Sequence, residues 1–516
     1  MSTTATPLPA AVAGPAAEAQ PDTRSEARAG MAMSIATFAM AAASAIQAVL
    51  YLSRFGTDGR TDGFFVAFAL YTTFGVFSQS LRLTSVPLLV DPARLGLRQF
   101  TAVLAMIALP VFVATCPLAG PFASILAPGL DAADRAVTRD ALPILGLATI
   151  AQLWAAGGAT VLAIRGRFND VALAYIVGAG AGLCAYLALM GTAGELTLGW
   201  SMLAMGAVTC AFMLIGVRRS GGFGEGPGLR LTRVIPDTGV VLGRTVVYLA
   251  FNSLFVITLS FASHSSAGET TVLSYAYLFA SYLVAGTGMA LGMSRIPDMT
   301  RSARGERQRV LRETVPQGFR YCVLLVAPML AALVAVGAPA IHDILPSSLD
   351  AAEVSSLRLF TALLVPWTLG ALLVNFLLPA MFAVGRATLV NVLAIPLVIV
   401  HVVIGLVANE LWGIDGVVAT FCLAPGVFGI VLLFVGAEER RVSIALLREM
   451  TVDALRFLAL AAGAFGVAVA VTEPLDGFAG VALAAVIGGA LYAIGLAVFA
   501  RQQVGVLARA VRPATA

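Results

Sequence analysis

The sequence predicts an all-α polytopic membrane protein with fourteen transmembrane helices, arranged as two pseudo-symmetric six-helix lobes followed by two C-terminal helices. Composition, the spacing of apolar segments and an internal repeat support this prediction. Hydrophobic residues make up 59% of the 516 residues, charged residues make up 12%, and the mean hydropathy is +0.92. Soluble domains carry about 25% charged residues. A water-soluble fold of this length is therefore excluded.

The apolar segments are long enough to cross a bilayer. A spanning helix needs about 20 mostly apolar residues, and fourteen segments meet this condition. In chain order, the predicted spans 1 to 14 are 30–53, 62–89, 99–127, 141–164, 171–192, 197–217, 239–263, 270–294, 318–344, 355–384, 387–409, 414–437, 454–472 and 477–500.

The chain repeats itself after six spans. "LDAADRAVTR" (130–139) precedes span 4 and "LDAAEVSSLR" (349–358) precedes span 10, and at the same offset Gly166-Arg167 matches Gly385-Arg386. Because six is even, both copies begin on the same side of the membrane. They are parallel repeats, an arrangement in which substrate lies between the halves and access alternates between the two sides.

These boundaries predict five regions. Residues 1–28 lack an apolar core and are expected to form a disordered cytoplasmic tail rather than a signal peptide. The N-lobe, 29–217, holds spans 1 to 6, and the C-lobe, 239–437, holds spans 7 to 12. A cytoplasmic linker, 218–238, joins them. Residues 438–516 hold spans 13 and 14 and a C-terminal tail.

The arginines predict the orientation. All 32 basic residues are arginine, and positive charge collects in cytoplasmic loops. With the amino terminus inside, arginine is concentrated in the inner loops, and the outer loops hold only Arg54, Arg60, Arg135 and Arg139. We therefore expect a multi-pass protein of the bacterial cytoplasmic membrane with both termini cytoplasmic. Because the positive charges are distributed by side of the membrane, the net charge of +4 does not indicate a nucleic-acid partner.

A charged break interrupts the apolar sequence between spans 1 and 2, in "RFGTDGRTDGFFVAF" (54–68). We interpret it as an outer turn in which Asp58 and Asp62 can cap span 2. Arg54 and Arg60 are positive charges on the outer side, against the general sorting. One interpretation is an outer gate, in which these arginines pair with Asp58 or Asp62 when the protein is closed outside. A local salt-bridged turn is the alternative.

The same stretch, "FGTDGRTDGFFVAF", resembles the loop after the first helix of MviN/MurJ-type lipid II flippases. "SYAYLFASYLVAGTGMALGMSRIPDMTRS" (274–302), "ILAPGL" (125–130) and "FAVGRATLVNVLAIPLV" (382–398) resemble further segments. The resemblance implies a divergent member of the multidrug/oligosaccharidyl-lipid/polysaccharide exporter superfamily, with a V-shaped pair of lobes. It also implies translocation of a lipid-linked cell-envelope precursor, which is lipid II or another isoprenoid-pyrophosphate-linked sugar, by alternating access.

The chain departs from the family where the flippases carry cavity arginines, because Gln47 and Leu278 occupy two of those positions. Arg82 and Arg244, inside spans 2 and 7, are the candidates to replace these charges, since two guanidiniums can bind a phosphate bidentately. Snorkelling of both arginines to lipid headgroups is the alternative.

Three polar residues inside spans complete the predicted substrate-binding set: Gln47, Gln79 and Asn252. They are expected to line a hydrated cavity, and hydrogen bonding between helices is the alternative role.

The predicted function is that of a transporter with no catalytic residues, so we do not expect an enzyme, a cofactor or a metal site. The expected partners are an anionic lipid-linked substrate, membrane lipids and, as an open alternative, other envelope-synthesis proteins. Two other functions stay open. A related multidrug/cation antiporter would need a carboxylate inside the membrane, whereas the acidic residues here lie in loops, in tails or at span ends. The second is a non-transporting scaffold for envelope assembly.

Overall fold

The computed structural model describes the chain in several segments, and in parts of α1, α2, α11 and α14 it describes the backbone alone. The described residues are 23–89, 95–222, 228–285, 287, 312–313, 315–337, 340, 349–383, 386–436, 440–473 and 477–499. The regular structure within these ranges is helical.

The first half of the chain forms seven α-helices. They are α1 (Thr23–Phe55), α2 (Gly59–Leu89), α3 (Leu97–Thr115), α4 (Ala119–Leu126), α5 (Ala132–Ile164), α6 (Phe168–Leu189) and α7 (Thr197–Arg219).

The described part of the second half forms seven more. They are α8 (Leu231–Ala262), α9 (Glu269–Val284), α10 (Val315–Ala332), α11 (Ala351–Ala383), α12 (Ala387–Gly436), α13 (Arg440–Thr472) and α14 (Gly477–Phe499). A π-helical turn, Leu333–Gly337, follows α10.

The helices confirm the predicted fold class. Each of the fourteen predicted spans coincides, in whole or in part, with a described helix or helix arm, and ten described helices have the length and apolar composition to cross a membrane. One of these ten is α12, which breaks at Gly413 (φ 62°, ψ −149°) and so supplies spans 11 and 12 as two arms. A left-handed φ is open to glycine without steric cost.

Several predicted boundaries differ from the structure. α5 begins at Ala132 instead of 141, and α8 begins at Leu231, inside the predicted linker 218–238. Span 3 is divided into α3 and α4, because Pro117 has no N–H to donate and its ring clashes with the preceding helical turn. α1 already begins at Thr23, inside the segment predicted as a disordered tail, since its first residues are mostly helix formers such as Ala, Arg and Glu. α13 begins at Arg440, well before predicted span 13, and its polar first half is also helical.

The two lobes repeat one packing pattern. In the N-lobe, α5 packs against α2, α3 and α7, and α1 packs against α6. In the C-lobe, α11 takes the place of α5 and packs against α9, α10 and α12, while α8 takes the place of α1 and packs against α12. Small residues permit the close approach of membrane helices. A Cβ added at Gly370 of α11, for example, would lie 2.3 Å from the backbone nitrogen of Gly426 in α12.

Arginines at the turns after spans 4 and 10 make similar contacts, although the repeat aligns Arg386 with Arg167, which pairs with Asp170 instead. Arg165 donates from Nη1 to the Val217 carbonyl near the end of α7, and Arg386 donates from Nη1 to the Val435 carbonyl near the end of α12. Both contacts place positive charge on the C-terminal carbonyls of a helix, where the helix dipole favours it. Gly385, predicted to superpose on Gly166, lies outside the described residues.

The C-terminal pair, α13 and α14, packs mainly against α10. Arg320 of α10 forms ion pairs with Glu449, at 2.6 Å, and with Asp453, at 2.5 Å, both on α13. The hydroxyl of Tyr492 on α14 donates to the Leu324 carbonyl at 2.8 Å. The pair is therefore attached to the C-lobe by specific polar contacts as well as by apolar packing.

Candidate functional site

The charged turn between α1 and α2 folds on its own residues first. Asp58 precedes α2, and its Oδ1 accepts the Thr61 N–H at 2.8 Å while the Thr61 hydroxyl accepts the Asp58 N–H at 2.8 Å. This reciprocal capping satisfies N–H groups that the first helical turn leaves without partners. The prediction that Asp58 caps span 2 agrees with this geometry.

Asp62 does not cap its own helix. Its side chain is buried, at 1% exposure, and it points to the start of α9 in the other lobe. Oδ2 accepts the Gly268 N–H at 2.8 Å, and Oδ1 accepts the Thr271 N–H at 2.8 Å and the Thr271 hydroxyl at 2.6 Å. We call Asp62, Gly268 and Thr271 the latch. Its bonds are charge-assisted and lie where the dipole of α9 favours an anion.

Two further contacts join the lobes beside the latch. The Gly129 N–H donates to the Ser263 hydroxyl at 3.2 Å, and the Thr57 hydroxyl donates to a carboxylate oxygen of Glu353, which lies in the first turn of α11. We call this end of the bundle the latch end. Two turns of the N-lobe, the one between α1 and α2 and the one between α4 and α5, therefore contact the C-lobe there.

α5 fits closely beneath the latch. The Thr138 hydroxyl donates to the Gly63 carbonyl at 2.8 Å, and a Cβ added at Gly63 would lie 2.3 Å from the Asp134 carbonyl oxygen. Glycine beside Asp62 is thus required by the approach of α5. Burial raises the pKa of the Asp134 carboxyl, and the Asp131 and Asp58 carboxylates raise it further.

The two arginines of the turn do not pair with its aspartates. Arg60 instead forms an exposed ion pair with Glu195 of its own lobe, at 3.1 Å, and Arg54 is exposed. The predicted pairing of these arginines with Asp58 or Asp62 is therefore wrong for this state of the protein. The physical reason is that backbone N–H groups already bind both carboxylates, and Asp62 is buried away from the surface where the arginines lie.

The predicted substrate-binding residues lie on helices of both lobes. Arg244 is half buried on α8. Asn252, also on α8, is buried, and its amide donates to the Tyr248 carbonyl of its own helix at 2.8 Å. The main-chain carbonyl of Asn252 accepts the Thr73 hydroxyl of α2 at 3.2 Å, so Asn252 lies where the lobes meet. The side chains of Arg82 and Gln79, on α2, lie outside the described residues.

Gln47 is buried inside the N-lobe at 1% exposure. A Cβ added at Gly182 of α6 would lie 3.4 Å from its Nε2. Leu278 of α9 is also buried, and near it the Tyr275 hydroxyl donates to the Ala48 carbonyl of α1 at 2.9 Å. Gln47 and Leu278 are thus both buried and uncharged.

Several residues of this site were not found from the sequence. Gly268 and Thr271 contribute backbone N–H groups, which every non-proline residue has, so residue type gives no signal for them. A weak signal was available, because "SSAGETT" (265–271) begins a helix with glycine where a capping side chain is usual.

Together these observations define a class of protein: a polytopic membrane protein with two pseudo-symmetric six-helix lobes. The lobes contact each other at the latch end, between α2 and α8, and between α3 and the start of α8. Solved structures share this fold. "Lipid II flippase MurJ, inward closed conformation" aligns with a TM-score of 0.69 at 14% identity, over 92% of this chain and 99% of that one. The predicted resemblance to MviN/MurJ-type flippases is confirmed at the level of the fold.

Multidrug transporters share the fold as well. An inward-facing multidrug resistance MATE family transporter of the MOP superfamily aligns with a TM-score of 0.60 at 15% identity, over 80% of this chain and 99% of that one. A mutant of the Vibrio cholerae MATE transporter VcmN aligns with a TM-score of 0.56 at 12% identity, over 82% and 97%. No family model matches the sequence, and no curated protein matches it.

Proposed function

We propose that this protein is a flippase that moves a lipid-linked cell-envelope precursor across the bacterial cytoplasmic membrane by alternating access. The latch is the observation that carries the proposal. One carboxylate of the N-lobe caps the first turn of a C-lobe helix, and such a contact can break and form again without unfolding either lobe. Each charge-assisted hydrogen bond contributes about 1.5–3 kcal/mol, which is enough to hold one state and small enough to be reversible.

The arginine distribution supports the direction of transport. In the proposed orientation the latch end faces outward and both termini are cytoplasmic, with the N-lobe at 29–217, the C-lobe at 239–437 and the C-terminal pair within 438–516. Arg82 and Arg244 then lie toward the inner mouth, on the side where lipid-linked precursors are made. There they are proposed to bind a pyrophosphate, while Asp62, through its contacts with Gly268 and Thr271, is proposed to form the outer gate.

The choice of an isoprenoid-pyrophosphate-linked sugar, such as lipid II, rests on the flippase among the similar structures and on the sequence patches that resemble its family. The expected partners are this anionic lipid and the surrounding membrane lipids. The proposal includes no cofactor and no catalytic group.

The test is a flipping assay with purified protein in vesicles and fluorescent isoprenoid-pyrophosphate sugars. Asp62→Asn should lower the flipping rate about tenfold or more, because it removes charge-assisted bonds that each contribute about 1.5 kcal/mol or more. Asp131→Asn is the matched control. Asp131 also caps a helix through two backbone N–H groups, but that helix, α5, belongs to its own lobe. Equal rates in wild type, Asp62→Asn and Asp131→Asn would contradict the proposed gate, and no flipping by the wild type would favour a scaffold.

A multidrug/cation antiporter is the second candidate, because MATE transporters share the fold and the arginine positions of the flippases are uncharged here. The same vesicles distinguish the two. An antiporter releases protons or sodium when an organic cation is added and leaves the fluorescent lipid on its original leaflet.

A further inference from the structure

A buried histidine lies deep in the C-lobe, away from the latch. His401, on the first arm of α12, is 3% exposed, and its Nε2 lies 3.1 Å from the hydroxyl oxygen of Thr258 on α8. It is the one buried histidine among the residues that the structure describes, since His264 is exposed.

The hydrogen bonds of Thr258 determine which ring nitrogen carries the proton. The Thr258 hydroxyl donates its single hydrogen to the Leu254 carbonyl, at 2.8 Å, so its oxygen can only accept from His401. The neutral imidazole therefore carries its hydrogen on Nε2, and Nδ1 is left with a lone pair. Nδ1 is buried and has no hydrogen-bond partner within the described part of the chain.

An aromatic cluster lies next to the buried imidazole. The Phe421 ring centroid, on the second arm of α12, lies 6.2 Å from that of His401. Phe421 in turn lies 5.9 Å from Phe255 and Tyr277, and 6.0 Å from Trp367. In this state a proton on Nδ1 would create a cation among apolar groups with no acceptor for its new N–H, and an unpaired buried charge is strongly unfavourable.

The packed helices bring few titratable groups to the ring. Thr258 and the Leu254 carbonyl face it from α8, and Phe421 faces it from the second arm of α12. The titratable groups of the aromatic cluster are the Tyr277 phenol of α9 and the Cys422 thiol, adjacent to Phe421.

Apart from Arg244, in the middle of α8 and about 21 Å from Thr258 along that helix, the charged residues of these helices lie toward the ends of helices or of the arms of α12. None of them faces the ring in the described contacts. They are Arg233, Asp237 and Arg244 on α8, Glu269 on α9, Glu353 and Arg358 on α11, and Glu410 and Asp415 beside the break in α12. Glu410, nine residues from His401, is about 14 Å away along the helix at 1.5 Å per residue.

We infer that Nδ1 of His401 is a proton-binding site that links protonation to opening of the lobes at the latch end. Protonation disfavours the state in which the ring is enclosed. It favours a second state, in which α8 moves away from the ring and Nδ1 reaches water. Binding of the proton therefore shifts the population from the enclosed state to the open state. Ser263, which directly follows the last residue of α8, contacts Gly129 of the N-lobe. Thr258 and Ser263 are about 7.5 Å apart along the helix, so movement at the ring reaches the lobe contact directly.

The first measurement observes the proton itself. The full-length chain is labelled with ¹⁵N-histidine in lipid nanodiscs, and since it contains three histidines, His401→Gln and His264→Gln assign the signals. We expect His401 as the Nε2–H tautomer at about pH 8 and as imidazolium at about pH 5, the range in which histidine titrates. A His401 signal that stays neutral throughout, or that shows the Nδ1–H tautomer at high pH, overturns the inference.

The second measurement observes the lobes. Spin labels on cysteines that replace the exposed Ala133 and Ala267, in a chain without its native cysteines, report the separation at the latch end. The closed population should fall about fivefold or more between about pH 8 and about pH 5, a typical size for coupling between two sites. His401→Gln should abolish this change and His264→Gln should preserve it. Opening that persists in His401→Gln but disappears in Asp62→Asn assigns the effect to the latch and overturns the inference.

A second variant guards against misfolding of His401→Gln. Thr258→Val keeps the imidazole and removes the acceptor of its Nε2–H. Because a hydrogen bond to a charged donor is stronger than one to a neutral donor, the loss should lower the proton affinity about tenfold, and the opening midpoint should move to lower pH. An unchanged midpoint contradicts the inference.

These measurements require no substrate. The use of the proton to drive transport rests on the proposed function, but the site itself does not. A protein that titrates and opens yet moves no lipid keeps the proton site and loses the flippase proposal. A protein that flips lipid while His401 stays neutral keeps the flippase proposal and loses the proton site.

Discussion

Asp58 and Asp62 are four residues apart, and both are equally good capping residues by type. The structure separates their roles by direction: Asp58 caps α2, to which it is adjacent, whereas Asp62 crosses to α9, more than two hundred residues away in the chain. Local sequence indicates a capping residue but does not indicate which helix it caps. The role of Asp62 depends on a tertiary contact with α9, which is why the predicted partners of its carboxylate, Arg54 and Arg60, are wrong.

Arg244 gives a prediction at the residue scale. Arg244→Gln should weaken binding of a pyrophosphate-linked lipid about tenfold, since one charged hydrogen bond contributes about 1.5–3 kcal/mol, and should leave binding of a neutral lipid unchanged. Arg82→Gln should act in the same direction. Binding is measured with lipid analogues on the purified protein in detergent.

Arg60→Gln is the matched control for Arg244→Gln. It also removes a positive charge, but from an exposed pair with Glu195, and such pairs contribute about 0–1 kcal/mol. If the Arg82→Gln, Arg244→Gln double variant binds the pyrophosphate lipid as the wild type does, both arginines are anchors to lipid headgroups.

The existence and order of the membrane helices could be predicted from apolar segment length, because the bilayer dictates that length. Breaks and extensions within helices were harder to predict. Pro117 ends α3 inside an unbroken apolar segment, so hydropathy alone gave one span. The polar start of α13 was placed in a loop, although Glu449 and Asp453 are neutralised there by Arg320 of α10, a partner more than 120 residues earlier in the chain.

Two glycines of α2 give a prediction at the scale of the element. Gly63→Ala should lower the melting temperature in detergent, because its Cβ would lie 2.3 Å from the Asp134 carbonyl oxygen and overpacking costs about 1–3 kcal/mol. Gly75→Ala, on the same helix, meets nothing within 4 Å and should be neutral or stabilising by up to about 1 kcal/mol. Equal effects of the two substitutions would mean that α5 can move away from α2 at little cost.

At the scale of the whole molecule, the contacts across the latch end predict that joining the lobes stops transport. Cysteines that replace Thr57 and Glu353, whose side chains are hydrogen bonded, are linked with a short reagent that a reductant cleaves. Flipping should fall to background when the link forms and return when it is cleaved, because alternating access requires this end to open.

The same reagent applied to cysteines in place of Arg60 and Glu195 is the control for this cross-link. These residues also lie in contact, but both belong to the N-lobe. Transport that continues at full rate with the Thr57–Glu353 link in place would show that the lobes need not separate there.

The orientation of the molecule gives a further prediction. In a chain without its five native cysteines, a cysteine in place of the exposed Ala133 at the latch end should react with an impermeant maleimide on intact cells. One in place of the exposed Arg441 should react only after permeabilisation, because positive charge is retained inside. The reverse pattern would place the latch end in the cytoplasm and reverse the direction proposed for the substrate.

The chemistry of the latch has a consequence for genetics. One side is a single carboxylate that only an acidic residue reproduces. On the other side, the Thr271 N–H survives most substitutions, whereas Gly268 has φ 92°, a left-handed conformation that strains most other residues. A random screen for mutants that fail to close should therefore return many alleles at codons 62 and 268. At codon 271 it should return few, chiefly exchanges to proline, which removes the N–H. The residues of one contact would thus offer mutation targets of very unequal size.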